Sequence, residues 1–164
     1  MSEQSEQNEA SPDSVNALLL PLTDRNLLLP RSALAELLNY NGRQAIERKS
    51  DWVLGHVEWS GHRLPLLSFE AFIRSGELGH GEDSRVAILH GVGGRRRSPY
   101  IALLIQGAPR SVVVDESLAV DQMVLSPFEM MAVKIGESVA VIPNLDALEQ
   151  RMITTGLFAT KVNA

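Results

Sequence analysis

The chain has 164 residues, 45% of them hydrophobic, with 15 Lys and Arg against 20 Asp and Glu, a net charge of −5, and no cysteine. Without cysteine there are no disulfides, thiolate nucleophiles or cysteine zinc sites, and the acidic balance argues against nucleic acid, whose phosphates need a basic face. The length suits one domain, or two small lobes sharing a core.

Residues 1–14 hold Ser, Glu, Gln and Asn but no Lys or Arg. They read as a disordered polar tail and lack the basic start and apolar run of a secretory signal. No apolar run approaches the roughly 20 residues of a membrane span, so the expected location is cytoplasmic, with no direct membrane insertion. Leu18–Leu22 and Asn26–Pro30 read as two short strands around the turn Thr23-Asp24-Arg25-Asn26. Ser32 is placed to cap a helix carrying Glu36 in its first turns and Leu34, Leu37 and Leu38 on one face, ended by Asn41-Gly42.

Residues 52–67 predict a β-hairpin with a Ser60-Gly61 turn. On a regular strand, Val53, Gly55, Val57 and Trp59 share one face, and Trp52, Leu54, His56 and Glu58 the other. Ser68 then caps a helix of about two turns through Phe69, Phe72 and Ile73. Gly76 to Asp83, with glycines at 76, 79 and 81, is the expected break between lobes, giving an inter-lobe connection near 76–84.

The second half reads as strands. Arg85–His90 and Tyr100–Gln106 flank a Gly-Arg-rich turn, and Ser111–Val114 and Leu118–Leu125 follow. Met130–Ile135 and Ser138–Ile142 form a hairpin about Gly136-Glu137. Asn144 caps a last helix with Asp146 and Glu149 in its first turns and Leu145, Leu148 and Met152 as its apolar stripe. Many short strands and few helices indicate a mainly β barrel or sandwich.

No chemistry assembles along this chain. His56, His62, His80 and His90 are scattered, and although His56 and His62 roughly face each other across the hairpin, two surface imidazoles are the better reading. Phosphate-binding loops, dinucleotide fingerprints and nucleophile elbows are absent. Asp115 and Glu116, as strand neighbours, point to opposite faces and read as a solvated turn. Arg95-Arg96-Arg97 reads as a charged hairpin tip. The expectation is a protein that is not an enzyme, with no catalytic, metal or cofactor site and no cofactor. Its distinctive surface is the hairpin, where tryptophan is enriched among residues that anchor interfaces.

The segment Val53-Leu54-Gly55-His56-Val57-Glu58-Trp59-Ser60-Gly61-His62-Arg63-Leu64-Pro65-Leu66-Leu67-Ser68-Phe69 resembles the CheW-like domain of bacterial chemosensory adaptors. It has the family's glycine-led strand, residue-Gly turn, Pro-containing strand and short helix. Arg85–His90 with Tyr100–Gly107 resembles the family's central strand pair, and Val139–Glu149 its closing strand and helix. The resemblance covers roughly residues 15–155 and implies a CheW-like domain over 15–158, built as two intertwined, SH3-like, five-stranded β-barrel subdomains with a few short helices. It implies a non-enzymatic adaptor that couples methyl-accepting chemoreceptors to a CheA-type histidine kinase, as a monomer or weak homo-oligomer. Receptor tips would meet the hairpin and the groove between lobes, and the kinase would pair with barrel ends. The partner-binding residues expected on this basis are Gly55, Val57, Glu58, Trp59, Ser60, Gly61, Leu64 and Pro65.

Gly55, Gly61 and Pro65 keep the family pattern, but the usual Asn-x-Arg-Gly turn is Glu58-Trp59-Ser60-Gly61 here. The usual aspartate after the Pro-containing strand is Ser68, and the central Val-Asp is Ile105-Gln106. A bidentate guanidinium has become a short hydroxyl. These departures resemble the divergent ChpC-type adaptors of chemosensory systems controlling type IV pilus twitching motility. The alternatives are a self-associating or regulatory β-barrel module without a kinase partner, and a small-ligand-binding barrel.

Overall fold

A computed structural model describes residues 13–41, 50–74, 82–93, 99–157 and 160–161. In chain order the strands are β1 (Val15–Pro21), β2 (Asn26–Pro30), β3 (Leu34–Asn39), β4 (Val53–Trp59), β5 (His62–Leu67), β6 (Arg85–His90) and β7 (Tyr100–Ile105). They continue with β8 (Arg110–Val114), β9 (Ala119–Val120), β10 (Glu129–Ile135), β11 (Ser138–Pro143) and β12 (Thr160–Lys161). The helices are α1 (Phe69–Arg74) and α2 (Leu145–Thr154), with a 3-10 turn over Arg31–Ala33.

Two curled sheets result, as the mainly β reading requires. One runs β8-β1-β2-β11-β10-β9; the other joins β3, β6, β7 and β5, with β4 and β12 also on β5. Each is five strands plus a two-residue strand, β9 or β12. The first takes its strands from both ends of the sequence and the second from the middle apart from the two-residue β12, so the lobes are intertwined. The polar tail expected over 1–14 lies almost wholly outside the described residues, as does most of the glycine-rich segment expected to join the lobes near 76–84. The strands on either side of that segment, β5 and β6, belong to the same sheet. The chain crosses between sheets instead at Arg31–Ala33, between β2 and β3, after Ile105, between β7 and β8, and again between β11 and β12.

The apolar runs follow from this arrangement. In β1, Leu19 faces the core of the first lobe while Leu18 and Leu20 face a shared cluster. In β7, Ala102 and Leu104 face the core of the second lobe while Ile101, Leu103 and Ile105 face the same shared cluster. A strand buried on both faces has no polar alternate, which is why these segments read as continuous rather than alternating hydrophobicity. The short helices complete the shared cluster. Phe69 enters it from α1, and Leu145, Leu148 and Met152 enter it from α2.

Both helix starts form as their caps predict. The Ala71 amide donates to Ser68 Oγ at 3.2 Å, and the Ala147 amide donates to Asn144 Oδ1 at 3.1 Å. One helix expected from sequence is a strand. Residues 34–39 are β3, antiparallel to β6. The cause is a bulge: Leu34 pairs Leu89 and Glu36 pairs Ile88, so Ala35 is an extra residue. A bulge stretches the two-residue repeat of a strand to three, placing Leu34 and Leu37 together on the shared core. That spacing imitates a helical stripe.

The strand expected over 118–125 shrinks to Ala119–Val120, because pairing with β10 is limited to Val120↔Val133 and Ala119↔Lys134. Val124, with no ladder to join, is 93% exposed. The β10–β11 hairpin has the expected Gly136-Glu137 turn, with Ile135 opposite Ser138 and Gly136 at φ +60°.

Three buried glutamates fasten loops across the fold. Glu70 at the start of α1 accepts from the Thr23 amide, and from Thr23 Oγ1 at 3.0 Å. Glu129 at the start of β10 accepts from Arg25 Nη1 at 2.8 Å and from the Ser126 amide at 3.0 Å. Glu149, expected merely to favour the first turns of α2, is buried and accepts from the Val92 and Gly93 amides at 2.6 and 2.8 Å. Burying a carboxylate is tolerable only with such partners. The β1–β2 turn is therefore held from both lobes, through α1 and through β10.

Candidate partner-binding surface

The β4–β5 hairpin stands in the second lobe with Trp59 opposite His62 and Glu58 opposite Arg63. Its two-residue turn has Ser60 at φ +47° and Gly61 at φ +75°. Two consecutive positive φ values define the type I′ turn, whose twist matches that of the strands. Glycine adopts this conformation freely, but Ser60 pays for its Cβ. Ser60→Asn, giving the favoured Asn-Gly pair, is expected to raise stability by roughly 0.5 kcal/mol, measured as a higher urea midpoint at unchanged m-value.

A second bulge resets the faces. Val53 pairs Leu67 and Gly55 pairs Leu66, leaving Leu54 as the extra residue. Leu54 therefore joins Val57 and Trp59 against the second-lobe core, and Val53 turns to the shared core. The regular alternation expected from sequence, with Leu54 opposite in sense to Val57, does not hold.

The eight expected partner-binding residues fall into two groups. Gly55, Val57, Leu64 and Pro65 are buried, with Val57 and Leu64 in the second-lobe core, so they build the hairpin from within. Glu58, Ser60 and Gly61 are exposed, and Trp59 is half-buried. The tip and its outer strand thus present the side chains accessible to another molecule.

Trp59 is held in place by residues that hairpin reasoning overlooked. Its Nε1–H donates to Glu36 on β3, and its ring meets Tyr100 edge-on at 4.7 Å between centroids. Tyr100 also lies 5.3 Å from the His62 ring and 5.7 Å from the His90 ring. The signal for Glu36 was hidden by the helix reading of 32–41, and Tyr100 lies 41 positions along the chain from Trp59, beyond any local pattern. The Trp59–Glu36 bond also links β4 to β3, the two ends of the five-strand order. Trp52 serves the other core: it is half-buried, and its ring packs on Phe72 at 4.8 Å.

The pairings place His56 opposite Pro65, not opposite His62, so the two-histidine arrangement does not form. His62 Nδ1 instead lies 3.0 Å from the Ser60 carbonyl oxygen. Among the described residues no three His, Asp or Glu side chains converge as metal ligands. Asp115 accepts from the Ser117 hydroxyl and amide, and these bonds hold its carboxyl below the usual carboxylate range, as in a turn-closing aspartate. The small stability this contributes is present above the unfolded pKa and lost as pH falls through the folded one. The arginines at 95–97 and His80 lie outside the described residues.

The sequence from residue 16 to residue 151 matches the family model of the CheW-like domain. The chain belongs to the CheW-like domain family. No curated protein matches it. Among solved structures, this CheW-like chain is similar to the scaffolding protein TtCheW from Thermoanaerobacter tengcongensis, with a TM-score of 0.63 and 16% identity over 79% of this chain and 88% of that one. At that identity the likeness is one of fold.

Proposed function

We propose that this CheW-like chain is a non-enzymatic adaptor that couples chemoreceptors to a CheA-type histidine kinase in a bacterial chemosensory pathway. The observation that carries the reading is the family match over residues 16–151. The mechanism is linkage: one chain holding receptor and kinase together raises their effective concentration and fixes their relative orientation. The receptor-facing side is the hairpin tip, Glu58, Ser60 and Gly61, with Trp59 behind it as a pinned aromatic. Buried Gly55, Val57, Leu64 and Pro65 set the tip's position.

The absence of the family's turn arginine, with Ser60 in its place and Glu58 exposed two residues earlier, makes the tip acidic rather than basic. This supports a receptor distinct from ordinary chemotaxis receptors, and we assign the chain to a ChpC-type adaptor of a system controlling type IV pilus twitching motility. Chemoreceptor, kinase or pilus genes beside the encoding gene would support this assignment.

A pull-down with the regulatory domain of a CheA-type kinase, and separately with a chemoreceptor tip, tests the reading. Glu58→Lys is expected to weaken receptor capture about tenfold while leaving kinase capture and the thermal midpoint unchanged. Failure of the unmodified chain to capture either protein would sink the adaptor reading. A second reading has its own support: Val120, Val124, Met130 and Met131 are exposed apolar side chains on β9, β10 and the loop between them. That face suits self-association without a kinase, which sedimentation of the isolated chain would detect as a dimer.

A further inference from the structure

The two lobes finish their sheets differently. In the second, the Trp59–Glu36 bond joins β4 to β3, so the strand order runs round on itself. The first is an open row that ends in β9 on one side and β8 on the other. β9 is two residues long, whereas β8 offers five, Arg110–Val114. The inner edge of β8 is laddered to β1 from Val15↔Val114 to Leu19↔Arg110, and among the described residues no strand pairs with its outer edge. Val112 and Val114 pack on the first-lobe core, while Ser111 and Val113 alternate with them on the outer face, where Val113 is 50% exposed. An open row of amides and carbonyls is a template for another strand unless the side chains forbid it.

The side chains of β8 select the occupant. Arg110 is exposed at one end, and Asp115 and Glu116 are exposed just past the other, where they line a hollow with Asp13 and Ser117. The segment therefore has a positive start, an apolar middle of Val112, Val113 and Val114, and a negative finish. An in-register parallel copy would set Arg110 against Arg110 and carboxylate against carboxylate, which is repulsive. An antiparallel copy related by a two-fold axis places one residue opposite itself. Centred on Val112, that pairing sets Arg110 opposite Val114; centred on Val114, it sets Asp115 opposite Val113. Centred on Val113, it sets valine on valine through the middle, Ser111 opposite Asp115 and Arg110 opposite Glu116, twice over by symmetry. Of these registers only the last matches base to acid at both ends.

We propose that the outer edge of β8 pairs antiparallel with β8 of a second copy of this chain, with Val113 on the two-fold axis. The first-lobe sheets of the two copies then form one continuous sheet, main-chain hydrogen bonds supplying the affinity and the end charges the register. One strand a side buries far less than the roughly 1,200–2,000 Å² of a stable interface, so the dimer is weak and concentration-dependent. This edge lies at the opposite end of the strand order from the apolar face of β9 and β10. The site stands whether or not the chain is an adaptor.

Sedimentation of the full chain from micromolar to millimolar concentration is expected to show a reversible monomer–dimer equilibrium. Hydrogen exchange should slow at amides within Ser111–Asp115 as the dimer fills. Arg110→Glu and Glu116→Arg each set like charges together at both ends, so each variant alone should dimerise about tenfold more weakly. Mixed in equal amounts they restore opposite charges at both ends, and the mixed dimer should form as readily as that of the unchanged chain. Both residues are exposed, so the thermal midpoints should not move. Val113→Lys brings two ammonium groups together on the axis and should leave a monomer with the same near-UV spectrum. A chain that stays monomeric at millimolar concentration overturns the proposal. So does a dimer that both charge variants leave unchanged, or a mixture no tighter than its components. Exchange slowed at Val120, Met130 and Met131 instead of β8 would assign the dimer to the β9–β10 face and overturn it too.

Discussion

Arg25→Ala is expected to destabilise the protein by about 3–5 kcal/mol, a large share of the roughly 5–15 kcal/mol available to a domain of this kind. Glu129 has a side chain only 3% exposed, and its Oε2 accepts from Arg25 Nη1 at 2.8 Å. Removing the guanidinium leaves that carboxylate buried and short of a partner, a penalty far above the net worth of the pair itself. Burial alone would lower the Arg25 pKa, but Asp24 and Glu129 outweigh it and hold the value raised. The stability from a raised basic group is present below its unfolded pKa and lost only as pH rises through the folded one, so here it persists across the whole working range.

Two controls isolate the cause in urea unfolding. Asp24→Ala removes a partner whose side chain is 31% exposed, and it should cost less than about 1 kcal/mol. Glu129→Gln in the Arg25→Ala background should recover a good part of the loss, because the uncompensated charge is gone. A strictly additive double variant would show that the two residues do not act as a pair.

Phe69→Ala is expected to cost about 3–5 kcal/mol by leaving a cavity where no side chain can collapse. Phe69 is 1% exposed and lies in the shared cluster among leucines of β1 and β2, strand residues of β5, β6 and β7, and the apolar stripe of α2. Its loss therefore weakens both lobes at once, and calorimetry should show a single transition moved to lower temperature. Two separated transitions would mean that the lobes fold independently and that the shared cluster is not what joins them. A deletion in the second-lobe core, Ile88→Ala, gives the comparison, since Ile88 packs only against that lobe's cluster.

Local signals were legible wherever their cause was local. Ser68 and Asn144 cap the helices they were expected to cap, and Ser60-Gly61 and Gly136-Glu137 turn the expected hairpins, since a cap or a tight turn needs only neighbours within three residues. The resemblance carried by Val53–Phe69 led to the family, and the two-sheet fold agrees with it. The candidate surface was legible in part. The tip residues Glu58, Ser60 and Gly61 are exposed, but the strand residues named beside them are core.

The failures also share a cause. At Ala35 and Leu54 a single extra residue shifts one strand against its partner, and the hydrophobic spacing then misstates the geometry. In the first case it made a helix out of β3; in the second it put Leu54 on the wrong face. A bulge is decided by the ladder with the neighbouring strand, so it has no signature in the strand's own period.

Short-range sequence set the mainly β character, the two hairpin turns, the helix caps and, through the glycine and proline frame of residues 53–69, the family. Those features depend on dihedral preference, side-chain alternation and short-range hydrogen bonds. Long-range packing settles which strands intertwine, where the chain crosses between lobes, and that Glu36 and Tyr100 hold Trp59. It also decided that Glu70, Glu129 and Glu149 are buried clamps and that β12 covers the free edge of β5. Each of these depends on groups tens of residues apart brought together by burial, and burial is a property of the whole packed chain.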